Sequence, residues 1–123
     1  MDIFKTVIRY DAVQQIEVNS KNTIFDAKRF IGKTFQKDKM DSLTKNYAFR
    51  VGTDEANRAV FSVKLKNGTK TFTPEDIGSF ILRKLKRMAQ DEIGRDISMA
   101  VISVPAGTAT ETYVIISLKF CRL

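Results

Sequence analysis

Apolar and polar residues alternate with a period of two over residues 47–51 and 59–65, the pattern of half-buried β-strands. Gly52-Thr53-Asp54-Glu55-Ala56-Asn57 between them is rich in turn formers. Asn67-Gly68 is a hairpin signal leading into a third stretch, residues 69–72, so the pattern predicts three antiparallel strands. The period then changes. Ile77, Phe80, Ile81, Leu85, Met88 and Ala89 recur at helical spacing, with Thr73 placed to cap the helix, Pro74 at its first position, Glu75 and Asp76 in its first turn and Gly94 as its stop. Such a helix would cover a sheet face with its apolar stripe and leave Arg83, Lys86 and Arg87 toward water.

Weaker signals lie on either side. Asp11 can cap a short helix over residues 12–18, where Val13 and Ile16 share a face. Residues 24–31 read as a second short helix, with Gly32 suited to a left-handed cap, and residues 38–43 as a further turn or two. The apolar run 97–104, bounded by Asp96 and Pro105, reads as a buried strand. Composition shifts at Gly107, after which residues 112–118 resume a strand-like pattern. The expected architecture is α+β: a small antiparallel sheet with short helices and one long helix, forming a unit over residues 10–106 with a divergent tail over 107–123.

Composition limits the chemistry. A chain of 123 residues with 43% hydrophobic content supports one core. Histidine is absent and Cys121 is the lone cysteine, which argues against triad hydrolases, disulfides and zinc or other metal sites, and leaves Lys, Arg, Asp, Glu, Ser and Thr to do any chemistry. The net charge of +7 favours phosphates or other polyanions as partners, yet Lys64, Lys66, Lys70, Arg83, Lys84, Lys86 and Arg87 fall where solvated strand and helix positions are expected. The opening residues carry no signal-peptide core, and no later run is long enough to span a membrane, so the sequence as written reads as cytoplasmic.

Asn22-Thr23-Ile24-Phe25-Asp26-Ala27-Lys28-Arg29-Phe30-Ile31-Gly32-Lys33 resembles a segment of the seventy-kilodalton heat-shock chaperones. Phe72-Thr73-Pro74-Glu75-Asp76-Ile77 resembles a helix start of that family, and Ala100-Val101-Ile102-Ser103-Val104-Pro105-Ala106 one of its strands. Phe30 and residues 102–106 are closer to the microsomal stress-seventy member, whose location would be the lumen of the endoplasmic reticulum. The resemblance implies an incomplete first lobe of an actin-like ATPase domain, using ATP with Mg²⁺. It implies that Lys28 reaches the γ-phosphate and the attacking water as the catalytic residue, that Arg29 joins it in ATP binding near the adenine, and that Pro105 relays nucleotide state between lobes. The implied partners are nucleotide, co-chaperones and the remaining lobes.

The residues themselves are compatible with this. In a helix over 24–31, Lys28 falls between Ile24 and Phe25 on the apolar arc, where a lysine either meets an anion or snorkels to water. The family's glycine-rich phosphate loops and its adenosine motif do not occur among the 123 residues, so the chain alone is expected to be catalytically silent and to hold no cofactor stably. Two other readings stand beside this one. One is a basic nucleic-acid module using Lys28, Arg29, Lys33, Lys37 and Lys39 with Phe30 and Phe35 as stacking rings; the other is a non-catalytic interaction fragment with exposed apolar surface.

Overall fold

The computed structural model describes residues 10–103. Helix α1 spans Tyr10–Val13 and α2 spans Lys37–Thr44, with single 3-10 turns at Ser20–Asn22 and Ala27–Arg29 between them. Strands β1 (Arg50–Thr53), β2 (Ala59–Leu65) and β3 (Gly68–Phe72) follow, then the long helix α3 (Pro74–Ile93). The sheet is antiparallel in the order β1-β2-β3.

Strand β2 is central because its alternation supplies one apolar face: Ala59, Phe61 and Val63 are all buried. Phe61 lies opposite Val51 on one side and Phe72 on the other. Its ring meets Phe30 edge-on at 5.6 Å and Phe49 at 5.8 Å between centroids. Ala27, Phe30, Met40, Phe49, Ala59 and Phe61 form one cluster, with Ile24, Phe35, Tyr47, Val51 and Ile77 packed on it. The β2–β3 hairpin closes as predicted, with Leu65 paired to Gly68 and Gly68 at φ 131°, a value open to glycine.

The β1–β2 turn is built on Asp54. Its carboxylate accepts hydrogen bonds from the main-chain N–H of Arg58 (2.8 Å) and of Ala56 (3.0 Å), and from Arg58 Nε at 2.9 Å. The Arg58 main-chain bond first, and the Arg58 side chain and the Ala56 N–H after it, hold the Asp54 carboxyl below the usual aspartate range against the opposing effect of desolvation. A depressed carboxyl stabilises the fold above its unfolded value and loses that contribution as pH falls through its folded value. Stability should therefore decline on acidification below about pH 4, and Asp54→Asn should flatten that part of the profile in melts recorded against pH.

Helix α3 keeps both predicted ends. Asp76 N–H donates to Thr73 Oγ1 at 3.1 Å while Asp76 Oδ2 accepts from Thr73 N–H at 2.8 Å, a reciprocal cap. Gly94, at φ 74°, donates its N–H to Gln90 O at 2.8 Å.

Five expectations change. The helix over 12–18 is reduced to α1, with Asp11 inside its first turn instead of capping it. Val13 and Val18 are 61% and 84% exposed, and a short helix without apolar cover does not propagate. The helix over 24–31 shrinks to the Ala27–Arg29 turn because Asp26 adopts φ 57° and breaks the helical path, although Gly32 does take the positive φ foreseen for it. Strand β1 begins at Arg50, not at residue 47: past the Arg50–Ser62 pair, the Lys64 backbone is bonded by the Asn22 side chain instead of by β1.

Residues 97–103 form no strand. They join neither outer edge of the three-stranded sheet, and an apolar run with no strand partner takes no ladder, leaving Met99 86% and Val101 101% exposed. The apolar stripe of α3 covers the core only through its first two turns, by Ile77 on the main cluster and by Phe80 edge-on to Phe72. Beyond them Ile81, Leu85 and Met88 remain 44%, 45% and 42% exposed. Val104, Pro105 and the tail over 107–123 lie outside the described residues.

Candidate functional site

The candidate site is the turn around Lys28, and its construction starts at Asn22. The Asn22 side-chain amide donates to Lys64 O at 3.0 Å and accepts from Lys64 N–H at 2.9 Å, imitating a β-bridge across 42 residues of sequence. This fixes the start of the segment on the sheet. Ile24 then packs on the core, and the turn anchors itself by Ala27 and Phe30, 9% and 3% exposed. The alternation of anchors leaves Lys28 and Arg29 between them, both exposed.

Arg29 is held in place. Its Nη1 donates to the Tyr47 hydroxyl at 3.3 Å, Tyr47 donates to Asp26 Oδ2 at 3.1 Å, and Arg29 lies 3.6 Å from the same carboxylate oxygen. The Tyr47 hydroxyl first, and the Asp26 charge after it, raise the guanidinium above its ordinary range. Tyr47 is itself clamped between Phe49, stacked at 4.9 Å, and Phe25, edge-on at 5.2 Å. Lys28 makes no hydrogen bond or ion pair among the described residues.

Tyr47→Phe should keep the ring packing and the fold, because every aromatic contact survives, while freeing Arg29. The expected result is a melt within about 1 kcal/mol of the parent together with faster motion of the Arg29 Nε–H in NMR relaxation.

The site departs from the sequence reading in one respect that matters. Lys28 does not lie on an apolar helical arc: the 3-10 turn presents it to solvent, so it needs no buried anion partner. Arg29 follows Lys28 in the same turn, while Pro105 falls outside the described residues. Tyr47, Asp26 and Asn22 were missed. An acid three places before Arg29 was the available signal for Asp26, since residues at that spacing meet on one side of a turn. Nothing in the sequence marks Tyr47 except its aromatic neighbours.

Two rings proposed for nucleic-acid stacking are not free. Phe30 is a core residue, and Phe35 packs against it at 5.7 Å, so the platform lacks its aromatic half. Lys28 and Arg29 together can meet one anionic group by point charge and fork. They do not make a phosphate cradle, and no cluster of three or more His, Cys, Asp or Glu able to hold a metal ion exists among the described residues. The described residues therefore offer no ligand set that fits a bound Mg²⁺. No described helix is long and apolar enough to cross a membrane.

The sequence model of the family described as "Hsp70 protein" matches residues 5–107. The chain is 41% identical over 95 residues to "Heat shock 70 kDa protein 2" of Paracoccidioides lutzii, covering 77% of this chain and 14% of that protein. It is 41% identical over 96 residues to "Heat shock cognate 70 kDa protein 3" of Dictyostelium discoideum, covering 77% and 15%. It is 42% identical over 99 residues to "Heat shock 70 kDa protein 13" of Homo sapiens, covering 80% and 21%. The chain thus spans a minor part of the length of each of these relatives.

Proposed function

We propose, from the premise that this chain belongs to the Hsp70 protein family, that it carries one wall of the nucleotide site of an ATP-dependent chaperone and does not turn over ATP alone. Lys28 is the residue we assign to the γ-phosphate and the attacking water, where a fixed positive charge stabilises the transferred phosphoryl group. Arg29 is assigned to the nucleotide beside it, and Pro105 to relaying nucleotide state. The observation that carries this reading is the turn itself: Ala27 and Phe30 are buried while the two cations between them face outward with Arg29 braced by Tyr47 and Asp26. Positioning charge before a ligand arrives is what electrostatic catalysis requires.

The chaperone-like unit is residues 10–106 and the tail 107–123 is divergent, a division supported by a family match over residues 5–107. Nucleotide, co-chaperones and the remaining lobes of the parent domain are the partners this reading gives. The likeness of Phe30 and residues 102–106 to the microsomal stress-seventy member makes the endoplasmic reticulum lumen the compartment to examine first.

Calorimetry of the chain with ATP and Mg²⁺ should show no micromolar binding, because one lysine and one arginine replace a cradle normally built from glycine-rich loops. In a parent-length protein carrying this segment, Lys28→Ala should lower turnover by about 10²-fold or more while changing nucleotide affinity little. Equal losses in both would remove the assigned role.

A further inference from the structure

We infer that Asn67 and Gly68, at the tip of the β2–β3 hairpin, are a self-modifying site where the chain converts asparagine to isoaspartate and thereby loosens the Asn22–Lys64 clamp. The reaction needs only water. The Gly68 main-chain nitrogen attacks the side-chain carbonyl carbon of Asn67 and forms a C–N bond. The side-chain nitrogen leaves as ammonia, taking with it the proton lost by Gly68. Water then opens the resulting succinimide at either carbonyl. One opening gives aspartate, and the other gives isoaspartate, in which the main chain runs through the former side-chain carbon.

The structure separates Asn67 from the other asparagines. Asn19, Asn22, Asn46 and Asn57 precede Ser20, Thr23, Tyr47 and Arg58, whose side chains crowd the attacking nitrogen, whereas Asn67 precedes glycine. Thr23, Tyr47 and Arg58 also commit their main-chain N–H, to Ser20 O at 3.3 Å, Thr44 O at 2.9 Å and Asp54 Oδ1 at 2.8 Å. The Asn22 amide is held by Lys64, but the Asn67 side chain has no hydrogen bond among the described residues. Nothing lies within 4 Å of where a Cβ would stand on Gly68. Its N–H belongs to the last rung of the hairpin, Leu65–Gly68, and residues 66–70 are all exposed, so this rung frays at little cost. Lys64, Lys66 and Lys70 surround the tip with positive charge, which favours the deprotonated nitrogen that attacks.

Isoaspartate lengthens the main chain of the turn by one methylene. Loop length fixes the register of a hairpin, so the Leu65–Gly68 rung is lost. The next residue is Lys64, whose main-chain N–H and carbonyl hold the Asn22 side chain at the start of the Lys28 segment. Modification at the tip thus reaches that segment through a single residue. The chemistry does not depend on the role assigned to Lys28.

The full chain, incubated at mildly alkaline pH in heavy-oxygen water, tests this by peptide mapping with enzymatic methylation of isoaspartate. Position 67 should gain label and isoaspartate at least about tenfold faster than positions 19, 22, 46 and 57. Asn67→Gln, whose ring would be one atom larger, should stay unconverted. The isoaspartate form, separated by its charge, should exchange the Lys64 N–H several-fold faster than the parent. Freshly prepared Asn67→Asp, which adds the charge without the methylene, should exchange it as the parent does. Conversion at Asn67 no faster than at Asn19 or Asn46 overturns the proposal, as does aspartate formed without isoaspartate. So does an isoaspartate form whose Lys64 N–H exchanges like that of the parent.

Discussion

Phe61→Ala should abolish cooperative unfolding of this chain at room temperature. Phe61 is the one large side chain among the described residues with no exposure at all, it sits in the central strand, and its ring touches Phe30 and Phe49 from different parts of the sequence. Removing such a ring deletes its transfer free energy and leaves a cavity that the paired strands β1 and β3 hold open, a loss of about 3–5 kcal/mol. A small domain has a margin of about 5–15 kcal/mol, and this one leaves several apolar residues of its long helix uncovered, which places it toward the lower end. Urea titration followed by far-ultraviolet circular dichroism should show a broad, shifted or absent transition. Phe61→Leu should keep a transition at lower midpoint, since a branched aliphatic fills part of the space. A Phe61→Ala protein melting like its parent would mean that the aromatic cluster is not the core.

What the sequence made legible follows from where local signals and long-range pairing agree. Strand β2, the Asn67-Gly68 hairpin and α3 were readable because each is set by residues within a few positions: alternation, a two-residue turn, a reciprocal cap and a terminal glycine. Residues 97–103 have the composition of a strand, but strand formation depends on docking against a sheet edge, which no local pattern reports. The segment 24–31 failed for a related reason. Its helical spacing was real, yet Asn22 is tied to Lys64 from 42 positions away and Asp26 turns the chain into the left-handed region.

The candidate site was half legible. Lys28 and Arg29 came from motif resemblance alone, and their outward placement depends on Ala27 and Phe30 finding a core that the sequence shows only as scattered apolar residues. The brace on Arg29 was not legible, because Tyr47 lies 18 residues away and reaches the site only once Phe25 and Phe49 have clamped its ring.

Hydrophobic dye should bind this chain under native conditions, and the binding should fall several-fold when Ile81 and Leu85 are replaced by lysine. Ile81, Leu85, Met88 and Ile93 on α3 are 44%, 45%, 42% and 54% exposed, and Met99 and Val101 lie at 86% and 101% in the segment that follows. Scattered apolar side chains on a surface are ordinary, whereas several along one helix and its continuation form the kind of patch that dye and partners find. Covering a large aliphatic side chain fully is worth about 1.5–3 kcal/mol, so four half-exposed residues forgo a sum comparable with the lower limit of a domain's stability. The same residues can be changed without touching the core, because Phe61, Phe30 and Phe49 lie in the separate cluster beneath the sheet. The lysine variants should therefore retain their melting midpoint while losing dye fluorescence. A parent chain that is monomeric, melts sharply and binds no dye would show that residues 104–123 complete this face, and the reading of the chain as an open piece of a larger domain would have to be abandoned.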